Sequence, residues 1–319
     1  MFIVQLILGA LLLSFGANYL TDGASAVAKR LHLSEFIIGA TIVAVGTSMP
    51  ELVVSVMSAI SGNSEVSIGN VVGSNLFNIY AILGITCLVT PIAVSRENLR
   101  RDIPIHIFVA ALLCILALDG SIWGRGENLL GRGDGILLLL LYVGFLWMMI
   151  AGGRKSPEAQ PATNEPEERL APVWLSVVMI VGGLVGLVWG ADMFLDGAIT
   201  LARRLGLSEA VIGIVLVAVG TSLPEFFASF VSALKGKSGI ALGNLVGSNI
   251  ANILLILGTS ATIAPLRLGN VTMVDMGVMF STSVALLAAA LLFGRGRIGR
   301  VEGALFFAIY VIYTISLLR

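Results

Sequence analysis

Two glutamates lie alone within long apolar stretches of the sequence. Glu51 is the only ionisable residue between positions 35 and 65, and Glu225 is the only one between positions 209 and 235. A charged side chain near the middle of a bilayer costs at least ~2.5 kcal/mol, so something must compensate for each glutamate. A protonated or snorkelling glutamate is one alternative, but it would have to arise at both positions. A cation site is the more natural interpretation.

Each glutamate directly follows a proline, Pro50 or Pro224. Proline cannot donate to the carbonyl four residues earlier and also pushes against it, so the carbonyls of Gly46 and Gly220 lose their helical partners. The sequence therefore predicts a broken helix at both places, with carbonyls of residues 44–47 and 218–221 facing a polar cavity. Such carbonyls at the end of a half-helix bind cations. A kink that serves packing alone is the competing interpretation.

Hydroxyl and amide side chains continue the polar surface at helical spacing. Thr47 lies four residues before Glu51, and Thr221 lies four residues before Glu225, which places each pair on one helix face. Four serines extend these faces: Ser55, Ser58, Ser229 and Ser232. They either line a water-filled access path or donate hydrogen bonds to the backbone of their own helix. A second stripe has the same four-residue spacing: Asn70, Ser74, Asn78 and Asn244, Ser248, Asn252. Two further asparagines fall off this stripe and are expected to cap helices or to bond between them: Asn75 and Asn249.

Oxygen ligands from carboxylates, hydroxyls, amides and carbonyls suit hard cations such as Ca²⁺ or Na⁺. Two carboxylates match one Ca²⁺ in charge. Na⁺ is similar in size and carries half the charge, so competition for the same carboxylates would make exchange natural. Softer ligands are isolated in the sequence: Cys87 and Cys114 are expected to be inert, and His32 and His106 to lie in loops or interfaces rather than to relay protons.

The composition requires a membrane. Of the 319 residues, 57% are hydrophobic and 12% charged, which is too apolar for a soluble domain. The mean hydropathy is +0.99. The 19 basic residues balance the 19 acidic ones, so nucleic acid is not expected as a partner. The first basic residue is Lys29, so the apolar stretch from Phe2 is interpreted as the first span rather than as a cleaved signal peptide.

Stretches of about 20 apolar residues predict ten transmembrane helices. They lie near residues 2–20, 36–60, 66–90, 103–118, 135–151, 173–195, 210–234, 240–264, 276–293 and 302–318. A proline-rich charged linker at 153–172 divides the chain into halves at 1–152 and 173–319.

The two halves are related by duplication. GATIVAVGTSMPE, ending at Glu51, returns 174 residues later as GIVLVAVGTSLPE, ending at Glu225. GNVVGSNLFN, starting at Gly69, returns as GNLVGSNIAN, starting at Gly243. Five spans per half is an odd number, so we predict an all-α membrane protein of two inverted five-helix repeats with broken helices at the ion site. Thirteen basic residues against six place both termini outside and the linker in the cytoplasm.

The doubled GTS[ML]PE and GNxVGSNxxN runs resemble the two alpha repeats of the sodium/calcium exchangers, within the calcium/cation antiporter superfamily. The aligned repeats cover residues 16–93 and 190–267, and the chain is most similar to short prokaryotic members. The resemblance implies twelve ligands for Ca²⁺ and Na⁺ at the membrane centre, the alanines through their carbonyls. They are Ala44, Thr47, Ser48, Glu51, Ser74, Asn78, Ala218, Thr221, Ser222, Glu225, Ser248 and Asn252.

The resemblance also implies alternating access, in which spans 1 and 6 slide against the other eight and several Na⁺ exchange for one Ca²⁺. Asp22 and Asp196 lie at the ends of those two spans, where capping is the simpler interpretation. Some relatives, including potassium-dependent exchangers, have aspartate at the position of Asn252, so K⁺ co-transport is not expected here. The short linker argues against the large calcium-sensing domains of animal members.

We therefore predict a secondary active cation antiporter, with Na⁺/Ca²⁺ exchange as the leading interpretation. H⁺/Ca²⁺ or other cation/proton exchange stays open because carboxylates also bind protons, and a cation channel is the alternative from another class. An intramembrane enzyme would need a nucleophile with a base, or paired catalytic aspartates, and the deep positions offer neither. The expected partners are inorganic cations and the lipid bilayer of a prokaryotic inner membrane, with no cofactor and no obligatory protein partner.

Overall fold

A computed structural model describes residues 2–124, 128–153, 172–205, 218–293 and 296–317. Most of the predicted linker, and the start of the span predicted at 210–234, lie outside the described residues.

Helices dominate the first half of the chain. In order they are α1 (Phe2–Leu31), α2 (Glu35–Ile38), α3 (Ala44–Thr47), α4 (Met49–Ile60), α5 (Ser64–Leu76), α6 (Gly84–Val89), α7 (Ile103–Ala117), α8 (Asp119–Trp123) and α9 (Arg132–Gly153). π-Helical segments join α2 to α3 (Gly39–Val43), join α5 to α6 (Phe77–Leu83) and precede α7 (Asn98–Asp102). The two strands are β1 (Ile92–Ala93) and β2 (Leu129–Leu130).

The second half continues in the same manner. Its helices are α10 (Val173–Arg204), α11 (Ala218–Thr221), α12 (Leu223–Leu234), α13 (Ser238–Ala251), α14 (Gly258–Ile263), α15 (Met273–Ala288) and α16 (Arg300–Leu317). A π-helical segment joins α13 to α14 (Asn252–Leu257), and another follows α15 (Ala289–Phe293). Two strands complete it, β3 (Leu266–Arg267) and β4 (Arg297–Ile298).

The protein is helical and has many membrane-span candidates. Among the described residues, seven helices are long and apolar enough to cross a membrane, and the bent pair formed by residues 35–60 raises the number to eight. Two further predicted spans correspond to shorter helices, α7 with 15 residues and α12 with 12. Ten spans in two inverted repeats therefore stay a prediction.

Local sequence signals explain where several elements begin. Ser34 accepts a hydrogen bond from the backbone N–H of Ile37 and so caps α2. Thr272 and Asp275 form a reciprocal capping box at the start of α15.

The described chain packs into two compact units, and each unit takes segments from both sequence halves. The first unit contains Met1–Ser48 and Met148–Asn244, and the second contains Met49–Trp147 and Leu245–Arg319. The units therefore do not follow the predicted halves, which are defined by the repeat in sequence.

Within the first unit, α1 and α10 pack closely through glycines. A Cβ atom at Gly16 would lie 2.8 Å from the carbonyl oxygen of Gly183, and one at Gly183 would lie 2.7 Å from that of Gly16. Only residues without a side chain allow two backbones to approach so closely. The core beside this contact is apolar and includes Leu13, Ala17 and Leu187.

Within the second unit, short antiparallel strands tie loops together. β1 pairs with β4 and β2 pairs with β3. The spans also differ in burial. In an apolar 18-residue stretch of the spans 64–89 and 238–263, 78% and 94% of the residues are buried, whereas the share is 28% in the corresponding stretches of α1, α9 and α10. The two spans that carry the asparagine motifs are therefore surrounded by protein rather than exposed to lipid.

Candidate cation-binding site

The predicted helix breaks are present beside both glutamates. Segments 35–47 and 49–60 are bent by 49°, and Ser48 between them has left the helical conformation, with φ −83° and ψ 9°. Ser222, between α11 and α12, has nearly the same backbone angles, φ −94° and ψ 9°. Pro50 and Pro224 each lie just after the break, as their inability to donate requires.

In the first unit, the break at Ser48 lies beside Glu225. The Ser48 hydroxyl donates to Glu225 Oε1 over 2.7 Å, and both side chains are buried. A hydrogen bond of this length to a buried carboxylate is typical of a charge-assisted interaction. Two predicted ligands that are 177 residues apart in sequence therefore meet.

Thr47 is linked through Asn244 to the backbone of Glu225. Its hydroxyl donates to Asn244 Oδ1 at 3.1 Å, and Asn244 Nδ2 in turn donates to the Glu225 backbone carbonyl at 3.4 Å and to Ser229 Oγ at 2.9 Å. Ser222 is also buried, and Thr221 is half-buried. Ala218 begins α11, and its side chain lies outside the described residues.

The second unit repeats part of this arrangement around Glu51. Glu51 is fully buried in α4, and Asn70 Nδ2 donates to its backbone carbonyl at 3.3 Å and to Ser55 Oγ at 2.9 Å. These bonds match those of Asn244 with Glu225 and Ser229. The duplicated sequence therefore makes the same local structure twice.

Four asparagines of the second unit form a cluster that we call the asparagine cluster: Asn75, Asn78, Asn249 and Asn252. All four are buried. Asn75 Nδ2 donates to the Asn249 backbone carbonyl at 3.4 Å, and Asn249 Nδ2 donates to that of Asn75 at 3.2 Å. The predicted interhelical bonding of these two residues is confirmed.

The two predicted ligands of the asparagine cluster, Asn78 and Asn252, each donate a hydrogen bond to one member of that pair. Asn78 Nδ2 donates to Asn249 Oδ1 at 3.0 Å, and Asn252 Nδ2 donates to Asn75 Oδ1 at 3.1 Å. Asn78 and Asn252 both lie in π-helical segments, which are rare and occur often at functional sites. Ser74 and Ser248, the remaining predicted ligands, are buried.

Three of the four serines of the predicted access path have hydrogen-bond partners: Ser55, Ser229 and Ser232. Ser232 is buried and lies 2.8 Å from Thr21 Oγ1 in a hydrogen bond between α12 and α1. Ser55 donates to the Ser67 carbonyl at 3.5 Å as well as accepting from Asn70. A wet path along these residues stays a prediction.

His106 lies at a contact between helices, one of the two kinds of position expected for it, but its partners were not predicted. It lies buried in α7, where Nε2 is 3.3 Å from both Asn249 Nδ2 and Ser283 Oγ. The signal that could have found it is isolation, since it is the only histidine, basic or acidic residue between Asp102 and Asp119. His32, by contrast, lies in the loop after α1, as expected.

The donor set is composed mainly of neutral oxygens. No group of three or more His, Cys, Asp and Glu side chains is found in the part of the chain that the structure describes. A cation held beside either glutamate would bind that carboxylate together with hydroxyl, amide and carbonyl oxygens, a set that favours hard cations.

Comparison with known proteins agrees with this chemistry. The family model for the sodium/calcium exchanger protein matches residues 1–151 and 175–319. The chain belongs to this family.

Several individual exchangers and membrane proteins are similar over most of the chain. The sodium/calcium exchanger MaX1 of Methanosarcina acetivorans is 34% identical, with 98% of this chain and 97% of MaX1 covered. The inner membrane protein YrbG of Escherichia coli is 34% identical, with 82% of this chain and 79% of YrbG covered. This exchanger-family chain is accordingly a multi-pass membrane protein.

A solved structure extends the similarity to the fold. The sodium-calcium exchanger NCX_Mj, in a structure soaked with 2.5 mM Na⁺ and 0.1 mM Ca²⁺, matches with a TM-score of 0.83 and 33% identity. The match covers 100% of this family member and 98% of NCX_Mj.

Proposed function

We propose that this exchanger-family protein is a secondary active antiporter that exchanges Na⁺ for Ca²⁺ by alternating access. The proposed ligands are the twelve residues that the family resemblance implies, with the alanines acting through their carbonyls. Similarity over the full length to a sodium/calcium exchanger supports the proposal. Ion transport of this kind needs no cofactor and no enzymatic chemistry.

One observation carries the proposal. Asn78 Oδ1 and Asn252 Oδ1 are buried and accept no hydrogen bond from the described residues. A buried acceptor without a donor costs about 1–3 kcal/mol, and native proteins rarely leave one so. A bound cation is the partner that such an oxygen would take. The two oxygens belong to residues of the repeated motif, 174 positions apart.

Charge supports exchange rather than one-way binding. Glu51 and Glu225 together carry the charge that neutralises one Ca²⁺, and Na⁺ fits the same oxygens at half the charge. Filling the carboxylates with sodium therefore removes the electrostatic reason for calcium to stay. A channel would need ions to pass without this displacement.

Proton exchange is the second candidate, because carboxylates bind protons as well as metal ions. The decisive experiment measures ⁴⁵Ca²⁺ uptake into proteoliposomes that contain the purified protein. An outward Na⁺ gradient, with pH equal on both sides, is compared with an outward proton gradient in Na⁺-free buffer. Uptake driven by sodium is expected.

The controls separate coupling from leak. Protein-free liposomes and liposomes without any gradient set the background, and a protonophore should leave sodium-driven uptake intact. Uptake that follows only the proton gradient would reject the sodium proposal. Uptake that needs neither gradient and runs down the calcium gradient would indicate a channel.

We also propose a prokaryotic inner-membrane location, with both termini outside and the linker in the cytoplasm. Thirteen basic residues against six support this orientation. Single cysteines introduced near Phe2 and near Pro161, after replacement of Cys87 and Cys114, provide the test. In intact cells an impermeant maleimide should label the first site and spare the second. The opposite pattern would reverse the orientation.

A further inference from the structure

Asn75 and Asn249 hold each other in a reciprocal arrangement. The side-chain amide of each donates to the backbone carbonyl of the other, at 3.4 and 3.2 Å. A backbone carbonyl only accepts hydrogen bonds, so the atom that faces it must be the amide nitrogen. The rotation of both carboxamides is thereby determined, and each Oδ1 must face the opposite way.

The Oδ1 atoms of Asn75 and Asn249 in turn determine the rotation of the carboxamides of Asn252 and Asn78. Asn249 Oδ1 faces Asn78 at 3.0 Å, and Asn75 Oδ1 faces Asn252 at 3.1 Å. Since an oxygen requires a donor, Asn78 and Asn252 must present their amide nitrogens to the pair. Their own oxygens are left on the other side, buried and without a hydrogen bond from the described residues.

From this geometry we infer that Asn75 and Asn249 are positioning residues for the cation ligands Asn78 and Asn252. They ensure that each ligand carboxamide offers oxygen, and not its NH₂ group, to the ion. The inference rests on the proposed function, because it requires that Asn78 and Asn252 bind the cation. Asn75 and Asn249 themselves are not among the proposed ligands.

His106 provides a second hydrogen-bond partner for the carboxamide of Asn249. Asn249 Nδ2 uses one hydrogen on Asn75 and the other on His106 Nε2, at 3.3 Å. Because Asn249 donates, Nε2 must accept, and the ring hydrogen lies on Nδ1. The residue 174 positions after His106 is Phe280, which has no acceptor to offer Asn75. The carboxamide of Asn249 is therefore held more firmly than that of Asn75.

The first test removes the orienting group by Asn249→Leu. Calcium affinity of the full-length protein in detergent is measured by equilibrium ⁴⁵Ca²⁺ binding. Loss of a group that orients a metal ligand weakens metal binding by about 10- to 100-fold, and we expect a loss in this range. Thr86→Val is the matched control, because it deletes a buried hydroxyl that donates to the Ile82 carbonyl, in the span 64–89 that also carries Asn78. Its affinity should equal that of the wild type.

A second pair of variants distinguishes positioning from general packing. A carboxylate presents oxygen in either rotation, so Asn78→Asp removes the need for an orienting partner. Adding Asn249→Leu to Asn78→Asp should therefore leave calcium affinity nearly unchanged. A change of no more than about twofold counts as no effect, because that is the usual scatter in comparisons of single and double variants. Thermal unfolding without ions reports stability separately. If Asn249→Leu weakens binding equally in both backgrounds, or does not weaken it in the wild type, the inference is wrong.

If Asn249→Leu does not fold, His106→Phe replaces it in the same cycle. It copies Phe280 and removes the Nε2 contacts with Asn249 and Ser283, of which only the first holds a residue that positions a ligand. The expected loss is therefore about 2- to 10-fold in the wild type and absent beside Asn78→Asp. An unchanged affinity in the wild type would overturn the inference. The wild-type measurement tests the proposed function by itself: a wild type that binds neither Ca²⁺ nor Na⁺ rejects both the ligand role of Asn78 and the inference built on it.

Discussion

Glu225→Gln should affect the binding of Ca²⁺ and Na⁺ differently, because the two ions differ in charge. The carboxamide keeps the size of the side chain and retains an oxygen for Ser48, whose hydroxyl lies 2.7 Å from Glu225 Oε1. Packing around this buried position should therefore survive. What disappears is one unit of negative charge beside the ion.

The magnitude follows from Coulomb's law. At an oxygen–cation distance of about 2.4 Å and an effective dielectric constant of about 20, a unit charge attracts Ca²⁺ by about 14 kcal/mol and Na⁺ by about 7 kcal/mol. The carboxamide oxygen and the avoided desolvation of a buried carboxylate offset part of this. As a lower bound we take one quarter, about 3.5 and about 1.8 kcal/mol, which corresponds to roughly 300-fold for Ca²⁺ and roughly 20-fold for Na⁺.

The assay compares dissociation constants for both ions by titration calorimetry, together with exchange in proteoliposomes. Exchange should be abolished, and calcium affinity should fall much further than sodium affinity. Glu302→Gln is the matched control, since Glu302 is buried and its Oε2 accepts from the Gly299 backbone N–H at 2.9 Å, a bond that glutamine can replace. Equal losses for the two ions, or retained calcium exchange, would refute the reasoning.

Three further predictions concern other contacts. Ser48→Ala removes the hydroxyl that donates to Glu225, so calcium affinity measured by ⁴⁵Ca²⁺ binding should fall at least about tenfold, and an unchanged affinity would exclude a role for this bond. Gly16→Leu forces a side chain against the carbonyl of Gly183, 2.8 Å from the new Cβ, and should lower the unfolding temperature in detergent, whereas a stable variant would show that the helices can separate. Lys235→Gln breaks the exposed 2.7 Å ion pair between Lys235 and Asp22, so the free energy of unfolding, measured by chemical denaturation, should change by less than about 1 kcal/mol. A larger change would contradict the surface character of this ion pair.

The helix breaks could be predicted from local covalent chemistry. A proline at position 50 or 224 lacks a donor wherever the chain goes, so the break at Ser48 and Ser222 depends on nothing distant. The interhelical role of Asn75 and Asn249 was also within reach, because their spacing removed them from the polar stripe.

Other features depended on tertiary contacts and could not be predicted. Helix α1 runs to Leu31, eleven residues beyond the predicted span at 2–20, because hydropathy marks where a chain meets lipid and not where its backbone hydrogen bonds stop. The contact of His106 with Asn249 joins residues 143 positions apart. No periodicity in sequence encodes such a meeting.

The backbone contact of α1 with α10 constrains how the duplicated copies can diverge. Gly9, Gly16 and Gly23 are the repeat mates of Gly183, Gly190 and Gly197, and glycine has been kept at all six positions. Gly16 faces Gly183 while Gly190 faces Gly9, so both copies of one ancestral position lie in a single shared surface. A side chain gained in either copy would press on the other, although the two copies are free to differ elsewhere, as at His106 and Phe280. Selection on either half at this surface is therefore selection on the pair.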